Sequence, residues 1–324
     1  MFMMRFDMRV PGKTPAQIAD QYQTAIEMAQ WADDKGCVGI GLSEHHCAED
    51  GYTPSPLVLA SAIAAVTKKV PILVAAALLP MYDPVRLAED MIVLDYIGRG
   101  RVTFIFGIGY RPVEYQLFGL DFEQRGAIAD DKLTKLLDTL RQASEAQAMP
   151  RVTPPSYTRG RPMIAWGGAT KAAARRAGHN GLGFFAQTNT SGLRETYEAA
   201  AREKGLEPGM CILPSPEMPS IVFVHPDPDA GWKEVGPYML ADATAYAEWN
   251  KDTKHQTVSL SKGKTVEELR AERGAHRVVN IEGAVELIKK WGRVPLHPLC
   301  GGCPPELAWT YLRRVVDDVL PANR

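Results

Sequence analysis

Two adjacent histidines follow a short apolar run and are candidates for chemistry by residue type alone. Residues 38–47, VGIGLSEHHC, place Glu44, His45 and His46 directly after the apolar run. Histidine and glutamate side chains can transfer protons and can bind metals. Neighbouring residues of a strand point to opposite faces, so both histidines cannot enter one pocket while the strand continues. This weighs against a metal site built from the pair, and loop histidines bonded to backbone are the alternative.

Two further stretches could leave the backbone open to a ligand. Residues 74–80, VAAALLP, contain three alanines, and a planar ring can lie against backbone where the side chains are small. Gly107 and Gly109 in GIGYRP leave the backbone accessible in the same way, and Arg111 offers a forked donor for a phosphate or carboxylate. Close helix packing is the alternative for the alanines, and a turn with a solvated arginine is the alternative for GIGYRP.

A third stretch, AWGGATK, combines a strand end, two glycines and a helix start. Backbone N–H groups and the positive end of the helix dipole would meet at Gly167, Gly168 and Thr170, which favours a phosphate. An ordinary strand-to-helix turn is the alternative. The pair Cys300 and Cys303 forms a single C-x-x-C with no second pair, which makes a zinc site improbable.

The elements that would position these residues alternate between strand and helix. A parallel sheet closed into a (β/α)8 TIM barrel is expected, because the strands are apolar without alternation and helical stretches follow them. The active site of such a barrel lies at the carboxyl ends of the strands. An open doubly wound sheet is the second possibility, but the turn VPGKTPAQ after the first strand has a single glycine and no nucleotide fingerprint. The eight strands are predicted at residues 2–10, 37–42, 71–79, 101–109, 162–168, 181–187, 219–225 and 294–299.

Composition limits the classes of partner. The 324 residues carry 37 basic and 38 acidic side chains, a net charge of −1, so no basic surplus favours nucleic acid or anionic membranes. The longest apolar runs are shorter than the roughly 20 residues that span a bilayer, and the N-terminus lacks the apolar core of a secretory signal. Five cysteines in a large chain are typical of reduced thiols in a cytoplasm. We expect a single domain over residues 1–324, with residues 226–276 as a lid.

Several stretches, in order along nearly the whole chain, resemble the bacterial luciferase-like flavin-dependent monooxygenase family. The matching pieces are SEHH, the long stretch from SPLVLAS to DYIGRGR, FGIGYRPVEYQLFG, GGATKAAARRAG and PELAWTYLRRVVDDVLP. The resemblance implies a (β/α)8 barrel that is usually a homodimer. It also implies that FMN or a related deazaflavin coenzyme binds at the carboxyl ends of the strands.

The resemblance also implies roles for individual residues. His45 matches the active-site histidine of the family, and the Ala75–Ala76 bond matches a non-prolyl cis peptide beneath the flavin ring. The other residues carried over as cofactor-binding are Gly109, Arg111, Arg125, Gly167, Gly168 and Thr170. Bacterial luciferase has Glu-Ser where this chain has Gly167–Gly168, so the phosphate would depend on backbone and arginine donors. The cofactor arginine that follows strand four in luciferase aligns with a gap, which leaves the role of Arg111 open.

The resulting hypothesis is a monooxygenase that uses reduced FMN and O2 on a small apolar or aromatic substrate. A separate flavin reductase would supply the reduced FMN, and His45 would act as acid or base. The first alternative is a deazaflavin-dependent enzyme that transfers hydride without activating oxygen. A metal-dependent barrel hydrolase that uses His45, His225 and His297 is more remote, and a flavin-binding protein without turnover is the fourth possibility.

Overall fold

The computed structural model describes residues 1–251 and 260–323. Its ten strands are β1 (Phe2–Phe6), β2 (Cys37–Leu42), β3 (Ile72–Leu78), β4 (Val102–Gly107), β5 (Met163–Gly168), β6 (Gly183–Ala186), β7 (Cys211–Ile212), β8 (Ile221–Val224), β9 (His276–Val279) and β10 (Val294–Leu296). Eight of them form one sheet in the order β10-β1-β2-β3-β4-β5-β6-β7, and β8 pairs with β9 in a second sheet. The predicted α/β class with a (β/α)8-type parallel sheet is confirmed.

Helices follow the strands, as expected. They are α1 (Pro15–Ala32), α2 (Pro56–Val66), α3 (Pro84–Gly98), α4 (Pro112–Leu117), α5 (Arg125–Ser144), α6 (Lys171–His179), α7 (Leu193–Glu203), α8 (Pro228–Trp249), α9 (Val266–Glu272), α10 (Ile281–Trp291), α11 (Pro305–Arg314) and α12 (Leu320–Ala322). Short 3₁₀ turns lie at Leu79–Met81 and Cys300–Gly302, and a π-helical turn lies at Val315–Val319.

Capping residues determine where helices α1 and α3 begin. Thr14 caps α1 in a reciprocal pair with Gln17, which satisfies two backbone donors that the first turn leaves unpaired. The Asp83 carboxylate accepts from the backbone N–H groups of Val85 and Arg86, both at 2.9 Å, and so caps α3. A proline stands in the first turn of each of these helices, where its missing N–H costs nothing.

The chain forms two compact units. Unit 1 comprises Met1–Gly41, Ala48–Thr53 and Ser215–Arg324, and unit 2 comprises Leu42–Cys47 and Pro54–Pro214. In unit 1, β1 and β10 run parallel, with Phe2 opposite Val294. The parallel pair β8 and β9 packs against the buried face of α8 through Phe223, Val278 and Trp232.

Unit 2 contains the run of parallel strands from β3 to β7. Strands β4 and β5 are buried along most of their length, whereas β6 and β7 are mostly half-buried or exposed. Phe104, Phe106 and Trp166 are fully buried core residues of this unit. Helices α6 and α7 approach closely at Gly178, where a Cβ atom would lie 2.4 Å from the carbonyl oxygen of Tyr197.

One strand prediction was wrong about its partners. The stretch predicted as strand seven, residues 219–225, forms β8, but β8 pairs with β9 in its own sheet. The place next to β6 is taken by the two-residue strand β7, which was not predicted. The sequence signal for β7 was weak, because two residues are too few to show the periodicity of a strand. Strand β9 and the short helix α4 were also missed.

The region predicted as a lid, residues 226–276, contains α8 and α9, and its residues 252–259 lie outside the described part of the chain. Among the described residues, the helices are all too short or too polar to pass through a lipid bilayer.

Candidate active site

Glu114 organises the polar groups around the histidine pair in unit 2. This α4 residue is fully buried, and its Oε1 atom accepts hydrogen bonds from three donors. The donors are His45 Nδ1 at 2.8 Å, the backbone N–H of His46 at 3.0 Å and Arg111 Nη1 at 3.3 Å. Burial alone would raise the pKa of Glu114, but His45, His46 and Arg111 outweigh it and hold the pKa below its usual value. Glu114 is therefore a carboxylate at neutral pH.

The ionised Glu114 fixes which nitrogen of His45 carries a proton. A carboxylate only accepts hydrogen bonds, so His45 Nδ1 must be the donor. In the neutral ring Nε2 is then an acceptor, and the Tyr110 hydroxyl lies 3.3 Å from it. The two rings meet edge to face at 5.2 Å. His45 is thus oriented to receive or return a proton at Nε2, with Tyr110 as its neighbour.

The second histidine has a separate set of partners. His46 Nε2 lies 2.8 Å from Glu44 Oε1. The other oxygen of Glu44 accepts from the backbone N–H of Leu78 at 3.1 Å and from the Tyr82 hydroxyl at 2.8 Å. Glu44, the partner of His46, therefore links the loop after β2 to the end of β3, whereas His45 faces Tyr110. The two histidines do have different partners, but they lie in the loop after β2, so strand alternation does not account for their separation.

Small residues of β3 and the loop after β4 lie beside these groups. The Ala75–Ala76 peptide bond is cis, as the resemblance implied. A Cβ atom at Gly107 would lie 3.4 Å from the Ala76 Cβ, and one at Gly109 would lie 3.6 Å from Glu114 Oε2. Gly109 also has φ +75°, a conformation that favours glycine. Glu114 Oε2 is buried and has no hydrogen-bond partner among the described residues.

The diglycine turn after β5 has the features expected of an anion site. Thr170 is the N-cap of the nine-residue helix α6, and its hydroxyl oxygen accepts from the backbone N–H of Ala173 at 3.2 Å. Its hydroxyl hydrogen can still be donated. At Gly168 a Cβ atom would lie only 2.6 Å from the Ala173 Cβ, so a side chain does not fit there. Gly167 is buried, Gly168 is partly buried, and both lie at the end of β5, next to the positive end of α6.

The two arginines carried over from the resemblance occupy different surroundings. Arg111 is buried and donates to the carbonyl oxygens of His46 and Cys47 as well as to Glu114. It therefore holds the histidine loop, and its role toward a phosphate stays a prediction. Arg125 begins α5, donates to the Phe122 carbonyl at 2.8 Å and lies 4.1 Å over the Phe122 ring.

Arg176 was not identified from the sequence. From α6 it pairs with Asp130 at 2.5 Å and donates to the Gly126 carbonyl at 3.3 Å. These contacts tie α6 to the first two turns of α5, which begins at Arg125. Tyr110 and Glu114 were also missed as site residues. The sequence pattern that could have indicated Glu114 is its position three residues after Arg111, because residues three apart on a helix are neighbours.

The histidines of the metal-site hypothesis each have their own partners. His45 pairs with Glu114, His297 with Asp7, and His225 with the backbone of Asp227. Among the described residues, the ligand atoms of Asp242, His297 and Cys300 lie within 4.8 Å of one another.

That group is a poor cation site. Arg5 Nη2 lies 3.2 Å from His297 Nδ1 and 3.8 Å from Asp242 Oδ1, so a guanidinium would face the metal.

Comparison with known proteins extends these observations. A family model described as luciferase-like monooxygenase matches residues 2–286. The alkanal monooxygenase alpha chain of Photorhabdus luminescens is 31% identical over 105 residues, which is 32% of this chain and 29% of that protein. The first curated relatives are matched over about half of their own length or less, from 49% down to 26%.

Solved structures show the same fold at low identity. The monooxygenase RslO1 from Streptomyces bottropensis has a TM-score of 0.73 at 19% identity, with 100% of both chains covered. The oxygenating constituent of 3,6-diketocamphane monooxygenase from Pseudomonas putida, solved with FMN, has a TM-score of 0.67 at 18% identity and covers 99% of this chain and 98% of its own. The coenzyme F420 dependent tetrahydromethanopterin reductase of Methanopyrus kandleri has a TM-score of 0.60 at 13% identity and covers 100% and 99%.

Proposed function

Because the chain belongs to the luciferase-like monooxygenase family, we propose that it is a flavin-dependent monooxygenase that uses reduced FMN and O2 on a small organic substrate. The observation that carries the proposal is the buried Glu114 carboxylate. One of its oxygens orients His45, and the other is left without a hydrogen-bond partner among the described residues, next to Gly109. A buried acceptor beside small residues suits a planar ring system with N–H groups.

The residues present fit a flavin mononucleotide. Ala75, Ala76, Gly107 and Gly109 offer backbone with little side-chain bulk, on which an isoalloxazine ring could lie. The positive end of α6 and the Thr170 hydroxyl suit the phosphate. The cofactor-binding set that we propose is Ala75, Ala76, Gly109, Arg111, Arg125, Gly167, Gly168 and Thr170. When bound, the reduced flavin supplies the electrons for oxygen activation.

The protein's own contribution to the reaction is proton transfer and positioning. Glu114 holds the proton of His45 on Nδ1, so Nε2 can accept a proton from a reacting group and later return it. The Tyr110 hydroxyl at 3.3 Å can share that proton. Burial of His45 and Glu114 keeps water from this position and strengthens the interaction between them.

A deazaflavin-dependent hydride transferase is the second candidate, favoured by the likeness to the F420-dependent reductase. Anaerobic titration with reduced FMN and with the deazaflavin, followed by absorbance, separates the two by relative affinity. The proposal expects tighter binding of FMN. It is overturned if the deazaflavin alone saturates the protein.

His45→Asn tests turnover against binding alone. We expect the variant to bind reduced FMN as the wild type does and to lose substrate oxidation. His179→Asn, at a half-exposed histidine that pairs with Glu203, is the matched control and should keep activity. Equal activity of both variants contradicts the role given to His45.

The remaining parts of the proposal concern partners and location. A separate flavin reductase would supply reduced FMN, and residues 226–276 would act as a lid over the organic substrate. A cytoplasmic location is proposed because the five cysteines are all unpaired.

A homodimer through α2 and α3 is proposed because Val58, Val93 and Ile97 are exposed there at 70%, 53% and 39%. Val58→Lys with Val93→Lys should convert it to a monomer in light scattering, and an unchanged mass would refute this interface.

A further inference from the structure

Arg176 of α6 makes contacts that reach beyond its own helix, and its side chain is only 9% exposed. Its Nε donates to Asp130 Oδ1 at 2.5 Å, and its Nη2 donates to Asp130 Oδ2 at 3.1 Å. The guanidinium and the carboxylate therefore form a two-point pair, which fixes orientation as well as distance. Nη2 also donates to the carbonyl oxygen of Gly126 at 3.3 Å. Both partners belong to the first two turns of α5, so Arg176 holds that end of α5.

A third contact joins Arg176 to β5. Its guanidinium carbon lies 5.0 Å from the centre of the Trp166 ring, within the range of a cation–π interaction. Trp166 is fully buried and stands directly before the diglycine turn that ends β5. Because this ring is packed in the core, the contact gives the guanidinium a fixed place relative to β5 and α5.

The contacts of Arg176 lie next to residues that we propose as phosphate donors. Gly126 directly follows Arg125 at the start of α5, and Arg176 itself belongs to the helix that Thr170 caps. Among the described residues, the backbones of α5 and α6 approach each other at few points, whereas α5 packs on α3 and α6 packs on α7. The relative position of the two helix starts therefore depends strongly on the side chain of Arg176.

We propose that Arg176 is a positioning residue for the phosphate of the flavin. It holds the starts of α5 and α6 so that Arg125 and Thr170 reach the same phosphate. A hydrogen bond weakens steeply as its geometry departs from linearity, so a displaced helix start would lose affinity for the phosphate. This role rests on the proposed function, because that function supplies the cofactor.

Riboflavin and FMN share one ring system and only FMN carries the phosphate, so the two flavins isolate the effect of Arg176 on the phosphate. None of the three contacts of Arg176 involves β3, on which the ring is proposed to lie. Arg176→Lys keeps the positive charge but cannot form the two-point pair. In anaerobic titrations with each reduced flavin, followed by absorbance, we expect this variant to bind FMN at least about tenfold more weakly and riboflavin within about twofold of the wild type.

Arg175→Lys, at the exposed arginine next to Arg176 in α6, is the matched control and should bind both flavins as the wild type does. A merely structural role for Arg176 would weaken the binding of both flavins equally. Unchanged FMN binding by Arg176→Lys, an equal loss for FMN and riboflavin, or an equal loss in Arg175→Lys would overturn the proposal.

Asp130→Ala separates a positioning residue from a direct phosphate ligand by the sign of the change. Asp130 is 61% exposed, and removal of its negative charge favours any nearby anion. If Arg176 bound the phosphate directly, its release from Asp130 would tighten FMN binding further. Positioning predicts the opposite, a loss of at least about fivefold, because the two-point pair between α6 and α5 is gone.

Asp131→Ala removes the same charge from the next residue, which is also exposed, and should not weaken FMN binding. Tighter FMN binding by Asp130→Ala would refute the proposal.

The wild-type titration distinguishes a failure of this proposal from a failure of the proposed function. A wild type that binds neither flavin refutes both. A wild type that binds FMN, together with Arg176→Lys and Asp130→Ala variants that bind it equally well, refutes the role of Arg176 alone.

Discussion

Replacing Glu114 by Gln tests whether a single carboxylate holds the site of unit 2 together. The amide keeps an oxygen in the same place and removes the charge. The hydrogen bonds from His45 and His46 then change from charge-assisted to neutral, at a loss of roughly 0.5–1 kcal/mol each, and Arg111 loses its ion pair with the carboxylate. Relief from burying a charge offsets part of this loss. We expect the free energy of unfolding to fall by about 2 kcal/mol at pH 7.

The pH dependence of that difference separates charge from shape. The pKa of Glu114 is lowered in the folded protein. The stabilisation from its charge is therefore complete above the ordinary carboxyl pKa of about 4.3 and is lost as the pH falls through the lowered folded-state value. The free energies of unfolding of the wild type and Glu114→Gln should thus differ by a constant amount from pH 7 to about pH 5. The two values should converge in stronger acid.

Urea denaturation of the two proteins from pH 7 to pH 3, followed by circular dichroism, measures this difference. Glu207→Gln, an exposed glutamate of the same unit, is the control and should match the wild type at every pH. Equal midpoints for the wild type and Glu114→Gln at pH 7, or a gap that persists unchanged to pH 3, would refute the reasoning.

Three other substitutions follow from the same contacts. Tyr110→Phe removes the hydroxyl beside His45 and should slow substrate oxidation about tenfold without changing flavin affinity, as steady-state rates and titration will show. Gly168→Ala forces a Cβ to 2.6 Å from the Ala173 Cβ and should lower stability by about 1–3 kcal/mol and weaken FMN binding, as thermal melts and titration will show. Asp83→Ala removes the cap of α3 and should cost about 1 kcal/mol in urea denaturation.

Each of these substitutions has a matched control in unit 2. Tyr157→Phe alters an exposed tyrosine and should keep the rate of the wild type. Gly126→Ala places a Cβ 3.8 Å from Arg176 Nη2, an ordinary contact, and should be tolerated. Asp83→Asn retains an acceptor for the capped backbone and should lose less stability than Asp83→Ala. If a control variant loses as much activity or stability as the substitution it is matched with, the contacts given for Tyr110, Gly168 or Asp83 are contradicted.

Most of the fold could be predicted because its signals are local. Apolar runs bounded by glycine or proline indicated β2 to β6 to within a few residues, and capping residues such as Asp83 indicated where helices begin. The assignment of residues 219–225 to the main sheet failed because pairing is not local. A buried strand has the same pattern whether its neighbour is β6 or β9.

A candidate site residue could be proposed from the sequence only where it carries its own signal. His45 follows β2 and the diglycine turn ends β5, where a barrel gathers its functional groups, whereas the alanine step lies inside β3 and was found from its small side chains. Glu114 gave no comparable signal. Its importance comes from burial against His45, a residue 69 positions earlier. Arg111 looked like a phosphate ligand by type, whereas its donors meet carbonyl oxygens of the histidine loop.

The reaction of bound reduced FMN with air tests the central claim most directly. The protein, saturated with reduced FMN under anaerobic conditions, is mixed with aerated buffer and the flavin absorbance is followed in a stopped-flow instrument. If the protein is the proposed monooxygenase, it binds reduced FMN stoichiometrically. The reoxidation rate of this bound flavin should differ from that of free FMN, and it should change again in His45→Asn. Reoxidation at the rate of free FMN in the presence of excess protein would contradict it.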